Sequence, residues 1–274
     1  MVGPSHREPY PGWIDSLAAL SGPIFFGGLG VFNYMIGDGS QVMDMTAVDQ
    51  VCNHIIIATA YCARKKEKNT CEVYNHSATT LNPLKQIQFK EELNRFYRYH
   101  PFEQQVRKPN LSNVKNIPAR DFKTKTFHHM PLQAMNALSK LPIVGSKSMN
   151  KNLEKMLKVY LTFYTASKRI EWIETGNWKF LNQKIIDIIP MLDKQEQFEF
   201  DCDPRNIDWK QYIRDYCIGL QIYVSGQDMP EEKHGFTQLL SMNKDMLDDV
   251  KESFKAKEGL RARPYIDEKR IIDD

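Results

Sequence analysis

Residues 16–37, SLAALSGPIFFGGLGVFNYMIG, run without one charged side chain. Such a stretch has to be taken out of water, and roughly 20 apolar residues also match the thickness of a bilayer. The run, however, carries five glycines and a proline. Glycine weakens a helix by about 1 kcal/mol per residue and proline by about 3, so a continuous spanning helix is a poor solution. The sequence points instead to loops and short strands buried inside a protein core, with no membrane span of its own. The 42% hydrophobic and 26% charged residues over 274 positions suffice for a sizeable core.

Charge excludes one class of partner. Lys and Arg total 37 against 34 Asp and Glu, a net +3. Basic runs such as Arg64-Lys65-Lys66 are met locally by Glu67, so no basic face for nucleic acid develops. The five cysteines, Cys52, Cys62, Cys71, Cys202 and Cys217, are odd in number and form no Cys-x-x-Cys pair. That pattern predicts reduced, mostly buried thiols inside a cell, with neither a disulfide framework nor a metal site. The opening MVGPSHREPYPGW has no apolar core of the kind a signal peptide needs.

Four regions follow along the chain. Residues 1–100 have an α/β texture. Pro4, Pro9, Pro11 and Gly12 impose an extended, turning start. Residues 47–63 read as a buried helix with Val48, Val51, Cys52, Ile55, Ile56 and Thr59 on its face. Asp44 and Asp49 look like structural caps near it. CEVYNHS (71–77) reads as a short strand. Asn82-Pro83 suits a helix start, with Leu84, Ile87, Leu93, Phe96 and Tyr97 forming the apolar side. Residues 101–148 are basic and proline-interrupted, a connector, and the His128-His129 pair there reads as surface or a polar contact. Residues 149–243 are helical, led by the stripe Met149, Leu153, Met156, Leu157, Tyr160, Leu161 and Tyr164, with further helices near 182–192 and 206–224. Residues 244–274 are a charged extension with a short helix near 244–258, and ordering them calls for a partner surface.

Two fragments look like parts of an oxidoreductase. GGLGVFN (27–33) resembles a dinucleotide-binding loop, but Asn33 stands where a third glycine is wanted, and YMIGDGSQ does not propagate the helix that must follow. YTASK (164–168) has the Tyr-x-x-x-Lys spacing of short-chain dehydrogenases. Tyr164, however, sits on an apolar stripe, and the nearest upstream serine is Ser148. Both read as packing segments, and no catalytic residue is assigned.

Longer segments resemble one family. EPYPGWIDSLAALSGP (8–23), MDMTAVDQVCNHIIIATAY (43–61), VYNHSATTLNPLKQIQF (73–89), HPFEQQVRKPN (100–110) and FEFDCDPRNIDWKQYIRDYCIGLQIYV (198–224) are similar, in order, to segments of the alcohol-forming fatty acyl-CoA reductases, the male-sterility-type extended short-chain dehydrogenases. Departures occur: Ala47 replaces a proline, Thr79-Thr80 stand where small residues are usual, and Gly3 replaces the arginine of Arg-Pro-Ser.

This resemblance implies an α/β fold, the substrate side of a Rossmann-type reductase, followed by a mostly α-helical C-terminal domain. In that family the NADP-binding loop and catalytic Tyr-x-x-x-Lys precede the EPYPGW segment, so the resemblance implies that this chain lacks the cofactor half. NADPH enters only by resemblance, with Pro4 and Ser5 passing near its nicotinamide end. Trp13, Ile14, Gly28 and Gly30 would line an acyl channel, with the aromatics Trp172, Trp178, Phe180, Trp209, Tyr212 and Tyr216 further walls or simple helix packing. Two functions follow. One is a substrate-side reductase half, acting on acyl-CoA and dependent on another chain for its cofactor. The other is a non-catalytic accessory subunit of a larger assembly, membrane-bound or mitochondrial. The family implies an intracellular site at peroxisome or endoplasmic reticulum; the second function would place it in the mitochondrion.

Overall fold

A computed structural model describes residues 1–65, 71–103, 105–139 and 175–227, together with ten positions between 154 and 171. The expected helix at 244–258, the charged extension and Trp172 lie outside the described residues.

The strands are short and come in pairs. β1 (Val2–Gly3) runs parallel to β4 (Thr46–Ala47), with Val2 opposite Thr46. β2 (Tyr34–Ile36) runs parallel to β6 (Ser112–Val114), and β3 (Val42–Met43) runs antiparallel to β5 (Leu84–Lys85). Helices fill the rest: α1 (Ser21–Gly28), α2 (Val48–Arg64), α3 (Gln86–Tyr99), α4 (Ile117–Thr124) and α5 (Met130–Ser139), with a π turn at Lys125–His129. After the described helical positions between 154 and 175 come α6 (Gln183–Ile188), α7 (Lys194–Glu199) and α8 (Trp209–Gly219), the last ending in a π turn at Leu220–Val224. Mixed α/β pairing up to residue 114 followed by helices agrees with the expected fold class in outline. Among the described residues no helix is long and apolar enough to cross a membrane.

The main core joins the two regions. Ile24 of α1, Phe89, Leu93 and Tyr97 of α3 and Phe102 pack with Tyr212, Ile213, Tyr216 and Leu220 of the α8 segment. Side chains of this size each contribute about 1.5–3 kcal/mol on full burial. A second cluster, Ile57, Ile185, Ile188 and Cys202, joins α2 to α6 and the loop before α8.

Several expectations need correction. The uncharged run 16–37 contains the helix α1 as well as loop and strand. Helix α2 spans nearly the expected residues, but rotated: Gln50, His54 and Ile57 are buried, while Ile55 and Ile56 are 61% and 52% exposed. Residues 71–77 form no ladder. Helix α3 begins at Gln86, because Leu84-Lys85 first pair with β3, and the Asn82 amide donates to the carbonyls of Pro204 and Ile207 instead of capping. Ile87 is 38% exposed. Three cysteines, Cys52, Cys62 and Cys71, are exposed, and only Cys202 and Cys217 are buried.

Candidate functional site

The N-terminal loop, residues 4–13, is clasped between α2 and α8. The Asp49 carboxylate, in the first turn of α2, accepts hydrogen bonds from the amides of His6, Arg7 and Glu8 at 2.7–3.0 Å. Charge-assisted bonds to backbone amides are stronger than neutral ones. Asp44, just before β4, accepts from the Ser77 hydroxyl and the Ala78 amide. The two aspartates therefore anchor distant loops; Ala47, with no side-chain cap bond, precedes α2.

On the other side Tyr212 donates its buried hydroxyl to the Pro4 carbonyl at 2.7 Å. This contact explains Gly3, whose Cβ would lie 2.7 Å from the Tyr212 oxygen. Tyr216 shares a 2.7 Å hydrogen bond with Ser21. Gly12 and Gly219 meet backbone to backbone: a Cβ on Gly219 would stand 1.8 Å from the Gly12 carbonyl oxygen, and Gly12 itself has φ +80°. Close approach and a positive φ are both tasks for glycine. Burial pushes the Tyr212 hydroxyl well up, and it raises the neighbouring Asp215 carboxyl to about 6 against the opposing pull of Gln211 and Arg214.

The expected cofactor and acyl residues fall into this clasp and the core beside it. Ser5 is fully buried; its amide donates to the Trp13 carbonyl, its own carbonyl accepts from Gly12, and its hydroxyl bonds the Tyr10 carbonyl. Pro4 is buried and its carbonyl is taken by Tyr212. With these polar atoms used internally, Pro4 and Ser5 offer a dinucleotide no free donor or acceptor. Trp13 is half-buried and Ile14 belongs to the core. Gly28 lies against the rings of Tyr97 and Phe102, and Gly30 (φ +77°) against the Arg107 carbonyl. Tyr212 and Tyr216 are core residues with bonded hydroxyls, whereas Trp178 and Phe180 are more than 40% exposed.

The glycine loop closes a helix and opens none. The Gly30 amide bonds the Gly27 carbonyl and the Val31 amide bonds Phe26, a Schellman ending with Gly30 in the left-handed position. A phosphate would face the carbonyl end of α1, the negative end of its dipole.

Just beyond that loop, Val31–Tyr34 approach YTASK. Asn33, Tyr34, Arg120, His128, Tyr160 and Tyr164 line a recess of about 20 Å³, room for little more than a water molecule. The two fragments are thus neighbours, which sequence spacing did not reveal. Tyr164 stacks on Tyr160 at 6.2 Å, the Lys168 ammonium lies 5.2 Å over the Tyr164 ring, and Asp121 holds it at 3.0 Å. The Ser167 hydroxyl is spent on the Tyr164 carbonyl. Arg120 is paired with Asp121 and Glu171, so the recess is close to neutral. His128 is buried and makes a polar contact with Asn33 at 3.4 Å, the second of the two expected alternatives, and it is lowered to about 4 by burial and Arg107.

A second pair, His54 buried and His76 half-buried, sits between α2 and the 71–82 loop. His54 and His76 have ring centroids 5.2 Å apart, and His54 Nε2 and both His76 nitrogens lack hydrogen-bond partners. Burial, with His54 alongside, lowers His76 to about 4 despite Asp203. Nothing in the sequence pattern flagged this pair.

Comparison with known proteins adds a family frame. A family model described as "Male sterility protein" matches residues 127–227. Fatty acyl-CoA reductase 1 of Xenopus laevis is 26% identical over 229 residues, 84% of this chain and 43% of the relative. Human fatty acyl-CoA reductase 1 is 24% identical over the same share, and human fatty acyl-CoA reductase 2 is 26% identical over 248 residues, 89% of this chain and 46% of the relative. The chain thus spans less than half the length of these relatives.

Proposed function

We propose, for a chain that belongs to the male-sterility-type fatty acyl-CoA reductase family over its matched portion, that it is the substrate-side unit of an intracellular reductase. Acyl-CoA is its substrate class, and a second nucleotide-binding unit supplies the NADPH site. In this reading residues 1–100 form the α/β part, 101–148 a connector, 149–243 the helical domain and 244–274 an extension. The observation that carries it is the clasp. The segments resembling the family at 8–23 and 198–224 are tied to one another through the Ser21–Tyr216 hydrogen bond and the Gly12–Gly219 contact. The packing of two family-like segments against each other supports this reading.

The loop bearing Pro4 and Ser5 would border the cofactor by shape, since its polar atoms are used internally. Trp13 would face the acyl chain, and Ile14, Gly28 and Gly30 would set that wall through packing. The reaction class is reduction of an acyl-CoA by two NADPH to a primary alcohol, releasing CoA. Supporting the second reading, a non-catalytic accessory subunit, are Gly3 in place of arginine and the inward-turned Ser5. NADPH titration by calorimetry separates the readings at the first step. The reductase reading expects no binding by this chain alone and binding once the nucleotide-binding unit is added. No enhancement over that unit alone, in binding or turnover, supports the accessory subunit.

A further inference from the structure

The face of α2 turned away from the molecule is built to be covered. From Val51 to Ala63 the helix carries no charged side chain. Its buried side uses Gln50, His54 and Ile57. The opposite side shows Cys52, Ile55, Ile56, Thr59, Ala60 and Ala63, all exposed, at the i, i+3, i+4, i+7 spacing of one helical face. Helices that are apolar all round belong inside a protein, and contiguous exposed apolar patches mark contacts.

The neighbouring strands say what kind of partner fits. Helix α2 leaves directly from β4, whose parallel mate β1 has no second neighbour among the described residues. Val2, in that edge strand, is 47% exposed. Parallel strands occur almost only in sheets of several strands covered by helices, and two strands do not suffice for stability. A β-α unit with an open parallel edge and an uncovered apolar helix is one margin of a larger α/β sheet. A second copy related by a two-fold axis would set its β1 antiparallel to this one, against the parallel arrangement of the existing pair. A charged peptide would find no counter-charge along the helix.

We infer that the exposed face of α2 and the free edge of β1 dock an α/β unit that adds a parallel strand beside β1 and an apolar surface over Ile55 and Ile56. This rests on the reductase reading above, whose nucleotide-binding unit is the partner committed to. The probe is the N-terminal nucleotide-binding portion of a fatty acyl-CoA reductase, expressed as a separate chain and titrated against the full-length protein.

The variant I55E/I56E alters two exposed side chains, and circular dichroism checks that it melts like the unaltered protein. Phe122→Glu, at another exposed apolar position, serves as control. Binding should weaken at least tenfold in I55E/I56E and hold in Phe122→Glu. Alkylation mapped by mass spectrometry should show Cys52 protected in the complex, with Cys71 still reacting. Binding and turnover that survive I55E/I56E unchanged overturn the docking surface and leave the reductase reading standing. Absence of binding by the unaltered chain overturns both. Self-association of the chain alone, abolished by I55E/I56E, assigns the face to a second copy and overturns the inference.

Discussion

Acidification sets two desolvated groups against each other, and single variants separate them. His76 is lowered from 6.5 to about 4 by burial and by His54, so its neutral form is favoured in the fold. Its contribution is fully present above pH 6.5 and is lost as pH falls toward 4. A depression of that size corresponds to about 3 kcal/mol at 1.36 kcal/mol per pH unit. Asp215 is raised from 3.8 to about 6 by burial. Its ionised form is disfavoured in the fold, so it destabilises above pH 6 by about 3 kcal/mol and ceases to do so near 3.8. The windows overlap and the signs oppose, so the unaltered protein should show a shallow stability profile between pH 6.5 and 4. Urea unfolding at pH 7, 5.5 and 4.5 should find His76→Leu gaining on the unaltered protein as pH falls. The replacement itself costs little, because neither ring nitrogen has a hydrogen-bond partner to lose. Asp215→Asn should be the more stable form at pH 7 and keep only about a third of that advantage at pH 4.5. A His76→Leu profile parallel to that of the unaltered protein refutes the burial argument at this pair.

Three further outcomes follow from the clasp and the recess. Gly219→Ala places a methyl against the Gly12 carbonyl and should cost about 3 kcal/mol in chemical unfolding, whereas Ala at the open position Gly226→Ala gives no such contact. Asp49→Asn weakens three amide bonds and should cost about 2 kcal/mol, with faster hydrogen exchange at His6, Arg7 and Glu8. Tyr164→Phe should leave turnover of the reconstituted reductase within about twofold, because Ser167 and Lys168 are engaged elsewhere; a loss of a hundredfold would make Tyr164 a catalyst.

Much of the helix plan was legible, and its faces were not. Val48–Arg64 was placed almost to the residue, yet Ile55 and Ile56 point outward while Gln50 and His54 are buried. Periodicity finds the helix but cannot choose between two faces of similar apolarity. Asn82 has the composition of a cap, and tertiary acceptors at Pro204 and Ile207 claimed its amide. GGLG lacks the third glycine of a phosphate loop, and its role as a helix ending depends on φ at Gly30, which only the backbone shows. The clasp left one trace in sequence: glycine where the family has arginine at position 3, explained by the Tyr212 hydroxyl.

The most direct test of the substrate-side reading is NADPH oxidation at 340 nm with a long-chain acyl-CoA, using this chain and a separately expressed nucleotide-binding unit. The account predicts negligible rate from either alone, and turnover from the pair with two NADPH consumed per alcohol formed. A stable pair that oxidises no NADPH, or turnover by this chain unaided, contradicts it.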